Sequence, residues 1–205
     1  MNPAAELLLH AGATFLRTAV SVILALAAAL PAGILLGRRP GADRLFRPLV
    51  YLLYTVPKIA LFPLAILLFG LNDAARIAVV SLVLFFQFLL AVRDGVRELP
   101  RPWFLVMASL GGSRRDRIFS LILPALVPRL CTALRIGTAS ALAVLFYTET
   151  SAVEGYGLGL LTVRAWMSLE YGRMALAAGA AALLGAGMFQ GFRVLENLYG
   201  RSGRA

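Results

Sequence analysis

Residues 18–37 read TAVSVILALAAALPAGILLG, a run of twenty residues without one charged side chain. A helix needs about 20 predominantly apolar residues to cross the hydrocarbon core of a bilayer. Four further apolar runs follow, and charges inside them are few: Lys58 in the second, Arg76 at the edge of the third, and Arg129 and Arg135 in the fourth. The runs are Pro48–Gly70, Ala74–Val92, Ile118–Tyr147 and Met174–Phe192. The sequence therefore predicts an all-α integral membrane protein with about five transmembrane helices.

Composition also assigns the chain to a membrane. Its 205 residues are 60% hydrophobic and 15% charged, whereas soluble domains are about 45–50% apolar and about 25% charged. A soluble domain of this size cannot bury such a surplus in one core. We interpret residues 1–205 as a single transmembrane domain that opens with an amphipathic lead-in at residues 1–17. Because the first charged residue, Glu6, is acidic, we expect no cleaved signal peptide.

The arginines between the apolar runs predict the orientation. The net charge is +10, but its distribution follows the spans, which argues against nucleic-acid binding. Cytoplasmic loops carry an excess of Lys and Arg, so the side with thirteen arginines rather than four is cytoplasmic. The N-terminus is then outside and the C-terminus inside. The thirteen are Arg38, Arg39, Arg44, Arg47, Arg93, Arg97, Arg101, Arg114, Arg115, Arg117, Arg193, Arg201 and Arg204, and the four are Arg17, Arg76, Arg164 and Arg173.

A long cytoplasmic connection, residues 93–117, contains signals for a short helix. Pro102 suits the first turn of a helix, and Gly111-Gly112 suits its end. Ser113 and Asp116 form a capping-box pattern that begins the next helix. Such a helix either presents apolar side chains to a partner's groove or lies flat among lipid headgroups. The apolar side chains expected to be exposed are Trp103, Phe104, Val106 and Met107.

This connection resembles the EAA loop of binding-protein-dependent ABC importer permeases. Gly111-Gly-Ser-Arg precedes Leu121-Ile-Leu-Pro124-Ala-Leu-Val-Pro128, so Gly111 and Leu123-Pro124 fall at the family's spacing. The family's Glu-Ala-Ala does not match, because Leu105-Val106-Met107 stands there. Three further stretches are similar to the nitrate, sulfonate and taurine branch of the family. They are Arg17-Thr18 to Gly33 and Gly37 in the first span, Val56-Pro-Lys-Ile-Ala-Leu-Phe-Pro-Leu64 in the second span, and Glu149 with Gly157-Leu-Gly159 in an outer loop.

The resemblance implies a type I ABC importer permease fold with a cytoplasmic coupling helix. It implies a second permease chain (a second copy, which gives a homodimer, or a relative), two ATP-binding cassette ATPase subunits in the cytoplasm and an extracytoplasmic substrate-binding protein. The membrane would be the bacterial inner membrane, and the substrate a small anion or a small nitrogen heterocycle. The residues implied in ATPase coupling are Trp103, Phe104, Val106, Met107, Gly111, Ser113 and Pro124.

Three ionisable residues are candidates for the substrate pathway. Lys58 lies within a span, where a charge costs about 2.5–3.5 kcal/mol and often faces a functional cavity. It could attract an anion, or it could cap carbonyls freed by the neighbouring prolines. Arg135 could line the pathway or pair across helices. Glu149, in an outer loop at residues 148–173 with a short re-entrant or interfacial helix, could meet substrate or binding protein, or simply be solvated.

No residue pattern indicates catalysis by this chain. Cys131 and His10 are each the only residue of their type, so no internal disulfide and no Cys/His metal site is expected. Lys58 follows Pro57, where a P-loop requires glycine. ATP and Mg²⁺ would therefore be bound by partner ATPases, and this chain would bind no cofactor. The rival interpretation is a membrane-embedded scaffold or enzyme without an ATPase partner.

The orientation predicts which ends of the spans are reachable from outside the cell. In a Cys131→Ser background, a single cysteine placed at Asn72 should react with an impermeant thiol reagent added to intact cells. A single cysteine at Ser202 should react only after the membrane is opened. The reverse labelling pattern would overturn the assignment of sides.

Overall fold

The computed structural model describes residues 3–152 and 154–202, and all regular structure within these ranges is helical. Arg204, one of the thirteen arginines assigned to the cytoplasmic side, lies outside the described residues. The helices are α1 (Pro3–Arg38), α2 (Pro40–Thr55), α3 (Phe62–Phe69), α4 (Asp73–Glu98), α5 (Arg101–Ser109), α6 (Arg114–Asp116), α7 (Leu123–Thr150), α8 (Leu158–Met167) and α9 (Tyr171–Ser202). A 3₁₀ turn at Lys58–Leu61 precedes α3, and a π-helical segment at Arg117–Ile122 joins α6 to α7.

The long helices confirm the prediction of about five membrane spans. Among the described residues, four helical stretches are long and apolar enough to cross a bilayer, and a fifth is obtained if α2 and the segment Lys58–Phe69 form one bent span. The amphipathic lead-in is not a separate element, because α1 runs without a break from Pro3 to Arg38. The four stretches are Ala4–Arg38, Asp73–Glu98, Arg114–Thr150 and Tyr171–Asn197.

The second span differs from the uninterrupted run that its apolarity suggests. Helix α2 ends at Thr55, Val56 is extended with ψ 130°, and the two halves meet at 83°. Pro57 explains the break, because proline has no N–H to continue the helical bonding and it disfavours helical geometry in the residue before it. A hydropathy profile does not reveal this break in the helix, because Val56 and Pro57 are both compatible with an apolar run.

Helices α1 and α4 pack closely because glycines on α1 leave room for α4. A Cβ atom added to Gly33 would lie 2.7 Å from Val92 Cβ, and one on Gly37 would lie 2.7 Å from Val96 Cβ. The four-residue spacing of these glycines therefore marks a helix contact, as small-residue pairs often do in membranes. Gly187 and Gly191 on α9 share that spacing, but a Cβ on either would meet nothing within 4 Å.

Large apolar side chains remain exposed on α2 and α9. Leu45 and Leu52 on α2 are 72% and 64% exposed, and Leu183 on α9 is 75% exposed. The buried core lies instead between α1, α4 and α7, where Leu84 and Phe88 have no accessible surface. The exposed faces of α2 and α9 therefore require lipid or another chain as their surroundings.

Candidate functional site

The short helix predicted in the coupling loop is present as α5, with both ends defined by backbone chemistry. Pro102 lies in its first turn. At the other end Gly112 N–H donates to Met107 O at 2.9 Å and Gly111 N–H donates to Ala108 O at 3.1 Å, which is the Schellman pattern. Gly111 has φ +73°, a conformation that costs glycine little and other residues more.

The next helix begins with the predicted capping box. Ser113 Oγ accepts from Asp116 N–H at 3.2 Å, and Asp116 Oδ2 accepts from Ser113 N–H at 2.8 Å. The π-helical segment follows directly and leads into α7, in whose first turn Pro124 lies. Helix α5 is thus joined to a membrane span by a short, regularly bonded connection.

The exposed face of α5 is only partly the one expected. Trp103 and Val106 are exposed by 48% and 58%, as predicted. Phe104 is instead half-buried against a cluster that includes Val96 and Ile122, and Met107 is half-buried too. Helical geometry explains the division, since residues three apart lie on one face and adjacent residues lie about 100° apart. Leu105 and Leu110 complete the exposed surface, at 69% and 78%.

At the opposite end of the molecule, Glu149 is the centre of a buried polar cluster, here called the outer junction. It comprises His10, Thr14 and Arg17 of α1, Glu149 of α7, and Gly157 before α8; all five are buried. Thr14 Oγ1 donates to the Glu149 carboxylate at 2.9 Å, and Arg17 donates to Oε1 at 2.8 Å. The carboxylate has no accessible surface, so the expectation of a solvated outer glutamate is wrong.

The glycines of the outer loop allow the chain to pass close to this carboxylate. A Cβ on Gly157 would lie 2.5 Å from Glu149 Cδ, and one on Gly159 would lie 2.2 Å from Phe146 O. Gly159 N–H donates to Glu149 Oε2 at 3.1 Å, and Gly157 N–H donates to His10 Nδ1 at 2.9 Å. A side chain at position 157 would therefore displace the buried acid, and one at position 159 would collide with the backbone of α7.

Arg17 extends the outer junction to α4. Its Nε lies 2.9 Å from Asp73 Oδ1, and Arg76 donates to the same oxygen at 2.8 Å. Four helices thus meet around two carboxylates. The sequence analysis missed His10, Thr14 and Arg17, although their i, i+4, i+7 spacing places them on one face of a helix and was readable beforehand.

Asp43 forms a second buried charge cluster at the arginine-rich end. The Asp43 carboxylate is 3% exposed, and it pairs with Arg97 at 2.7 Å, with Arg47 at 3.1 Å and with Arg93 at 3.6 Å. Arg93 also donates to Tyr51 Oη at 3.0 Å. These contacts hold α2 against α4.

The other two candidate pathway residues have different surroundings. Lys58, at the break after α2, donates to Tyr54 O and lies 4.8 Å and 5.3 Å from the ring centroids of Tyr54 and Phe86. It therefore caps a carbonyl, but no carboxylate of residues 3–152 or 154–202 pairs with it. Arg135 pairs with Glu196 at 3.1 Å across α7 and α9, which is the structural alternative considered for it.

Comparison with known proteins identifies the family. The sequence model described as "Binding-protein-dependent transport system inner membrane component" matches residues 29–199. This chain belongs to that family. As a permease-family member it is a multi-pass membrane protein and not itself catalytic, and nothing favours the scaffold interpretation.

Two relatives and one solved structure illustrate the similarity. The chain is 29% identical over 183 residues to an ABC transporter permease protein of Methanocaldococcus jannaschii, covering 89% of this chain and 68% of that protein. It is 28% identical over 152 residues to the taurine transport system permease protein TauC of Escherichia coli K12, covering 74% of this chain and 55% of TauC. The chain thus matches only part of these relatives' length.

The structural comparison confirms the predicted fold. A chain in an inward-facing structure of the MetNI methionine ABC transporter superposes on this one with a TM-score of 0.78 at 20% identity, covering 97% of this chain and 99% of that one. This chain and the MetNI chain therefore share the type I importer permease fold over nearly their whole lengths.

The outer junction predicts a strong stability effect at Glu149. Glu149→Gln keeps the side-chain shape but leaves Arg17 buried with one fewer carboxylate, and breaking a buried pair typically costs about 3–5 kcal/mol. We expect a clearly lower denaturation midpoint for the purified chain in mild detergent. Glu154→Gln, a substitution of an exposed glutamate in the same loop, should leave the midpoint unchanged.

A double-mutant cycle separates the pair from other effects. In an Arg17→Gln background, Glu149→Gln should cost markedly less than in the wild type, because the charge it stabilises is already absent. Equal costs in both backgrounds would show that the two side chains do not depend on each other.

Proposed function

We propose that this chain is the permease subunit of an ATP-driven importer and that the exposed face of α5 is the surface an ATPase subunit binds. The observation that carries the proposal is the apolar face of Trp103, Val106 and Leu110 on a nine-residue helix at the arginine-rich end. An apolar face of this size in water suits a partner's hydrophobic groove.

The connection after α5 suits it to transmit movement. The Schellman turn at Gly111, the capping box at Ser113 and the π-helical segment leave no long flexible linker between α5 and α7. Phe104 attaches the inner face of α5 to the spans, because it packs against the cluster that includes Val96 and Ile122. A displacement of α5 by an ATPase would therefore be passed to α7 rather than absorbed by a loose loop.

We further propose the assembly in which the chain works. A second copy of this permease would complete the pathway, two ATPase subunits carrying ATP and Mg²⁺ would bind from the cytoplasm, and a binding protein would deliver substrate outside. The bilayer would be a bacterial inner membrane, with the N-terminus outside and the C-terminus inside. The exposed apolar faces of α2 and α9 support contacts with lipid and a second chain, and the family's description supports the binding protein.

Truncating the largest exposed side chain of α5 tests the proposal. Trp103→Ala should weaken ATPase association about thirtyfold, because losing an interface anchor costs about 2 kcal/mol or more. The measurement is ATPase co-purification and binding-protein-stimulated ATP hydrolysis. Trp166→Ala is the matched control, since Trp166 is 59% exposed but lies on α8, away from α5. If the Trp103→Ala variant bound the ATPase subunit as tightly as the wild type does, α5 would be excluded as the docking surface.

For the substrate we propose a small anion, with Lys58 as the cation that attracts it. Lys58 is preferred to Arg135 because Arg135 is neutralised by Glu196, whereas Lys58 has only a carbonyl and aromatic rings as described partners. Charged groups inside membrane proteins that lack a counter-ion commonly mark ion or substrate pathways. Glu149, with its oxygens already bonded, is assigned to the outer junction instead.

Uptake kinetics test the role of Lys58. A screen of small anions, including taurine and nitrate, first identifies a transported solute. Lys58→Gln should then raise its half-saturating concentration about tenfold, the equivalent of about 1.4 kcal/mol, while Lys58→Arg should retain most of the uptake. Unchanged kinetics in a correctly assembled Lys58→Gln complex would exclude the anion role.

A further inference from the structure

A cavity of about 670 Å³ lies between the end of α1 and the connection that follows α5, and is here called the arginine cavity. Its two walls differ in character. One part is apolar and includes Leu30, Ile34, Phe119 and Leu123. The other part is lined by four arginines: Arg38, Arg39, Arg114 and Arg117.

No carboxylate of the residues that the structure describes neutralises these four arginines. No acidic residue lines the cavity, and none of the four forms an ion pair with any carboxylate in the described part of the chain. Arg117 Nε is buried without a hydrogen-bond partner. This contrasts with Arg47, Arg93 and Arg97 nearby, which all pair with Asp43. A buried donor without an acceptor is unfavourable, so an anion beside Arg117 would supply the hydrogen bond that the described residues do not.

The position of the cavity defines the chemistry of that occupant. Leu30 lies seven residues before Gly37, which is about 10 Å deeper along α1 at 1.5 Å per residue. The apolar wall thus lies within the first span, and the arginines lie at its arginine-rich end. The occupant must combine a phosphate-like headgroup with hydrocarbon that reaches into the membrane. An ATPase subunit could offer carboxylates to the arginines, but it could not fill the apolar wall.

We propose that the arginine cavity binds an anionic phospholipid from the leaflet on the arginine-rich side. The headgroup phosphate accepts hydrogen bonds from Arg38 and Arg117, and an acyl chain lies along Leu30 and Ile34. Basic pockets between spans are suited to such headgroups. The wall opposite α1 departs from regular α-helical geometry through the π-helical segment, and such segments frequently lie at functional sites.

The consequence is a lipid that bridges α1 to the coupling connection. Arg114 and Arg117 belong to the segment that joins α5 to α7, whereas Arg38 ends α1. The site goes beyond the transport function proposed above, because lipid retention can be measured whether or not the chain transports a solute.

Native mass spectrometry of the full complex, purified in mild detergent, tests the proposal. Phosphatidylglycerol and phosphatidylcholine with identical acyl chains are added in turn. We expect one phosphatidylglycerol retained per chain in preference to phosphatidylcholine. Arg38→Gln combined with Arg117→Gln should lower that retention about thirtyfold, at roughly fivefold for each arginine. The matched control is Arg44→Gln combined with Arg115→Gln, because both are exposed on the same end and neither lines the cavity.

Two further arms separate the alternatives. Arg38→Lys with Arg117→Lys keeps the charge and should retain the lipid, which excludes misfolding as the cause of any loss. Inorganic phosphate or glycerol 3-phosphate should not displace the lipid, because neither fills the apolar wall. Equal retention of the two lipids, or displacement by either soluble anion, would overturn the proposal. So would a glutamine variant that releases the ATPase subunits while retaining the lipid.

Discussion

The Glu149 carboxylate has no accessible surface, so its charge and its hydrogen bonds must be satisfied by neighbouring side chains and backbone groups. Burying an unpaired charge is prohibitive, so Glu149 dictates what surrounds it. Thr14 and Arg17 fix α1 against α7, and Gly159 brings the start of α8 within hydrogen-bonding distance. Arg17 also lies against Asp73, which adds α4. The contacts of one acid and its arginine partner thus join four helices at this end.

At the arginine-rich end of the molecule buried charges also need partners, but there the excess charge is positive. Arginines are in excess there, and Asp43 neutralises three of them: Arg47 within α2, and Arg93 and Arg97, which hold α2 against α4. Arg38, Arg39, Arg114 and Arg117 have no carboxylate partner among the described residues, and α5 presents its apolar face at the same end. The charges that join helices are thus paired with carboxylates, whereas the charges proposed for function have no such partner in the part of the chain that the structure describes. That contrast separates architecture from candidate sites.

The sequence predicted features that depend only on residues close together in the chain, and it did not predict features that depend on distant residues. The Schellman turn at Gly111 and the capping box at Ser113 were predicted correctly, because each requires only residues close in sequence. The face of α5 was not, because Phe104 and Trp103 have similar hydropathy and only the neighbouring cluster around Ile122 decides which turns inward. The bend at Pro57 was also missed, because the average hydropathy of an apolar run carries no information about backbone geometry.

The sequence by itself determined the membrane environment, the approximate number of spans and the family, because apolar run length and motif spacing are properties of the chain in one dimension. Only the tertiary structure decided which charges are paired. Glu149 meets Thr14 across 135 residues, and Arg135 meets Glu196 across α7 and α9, whereas Lys58 and Arg117 have no carboxylate partner among the described residues. Pairing over such distances depends on how helices cross, and no local pattern in the sequence encodes that crossing.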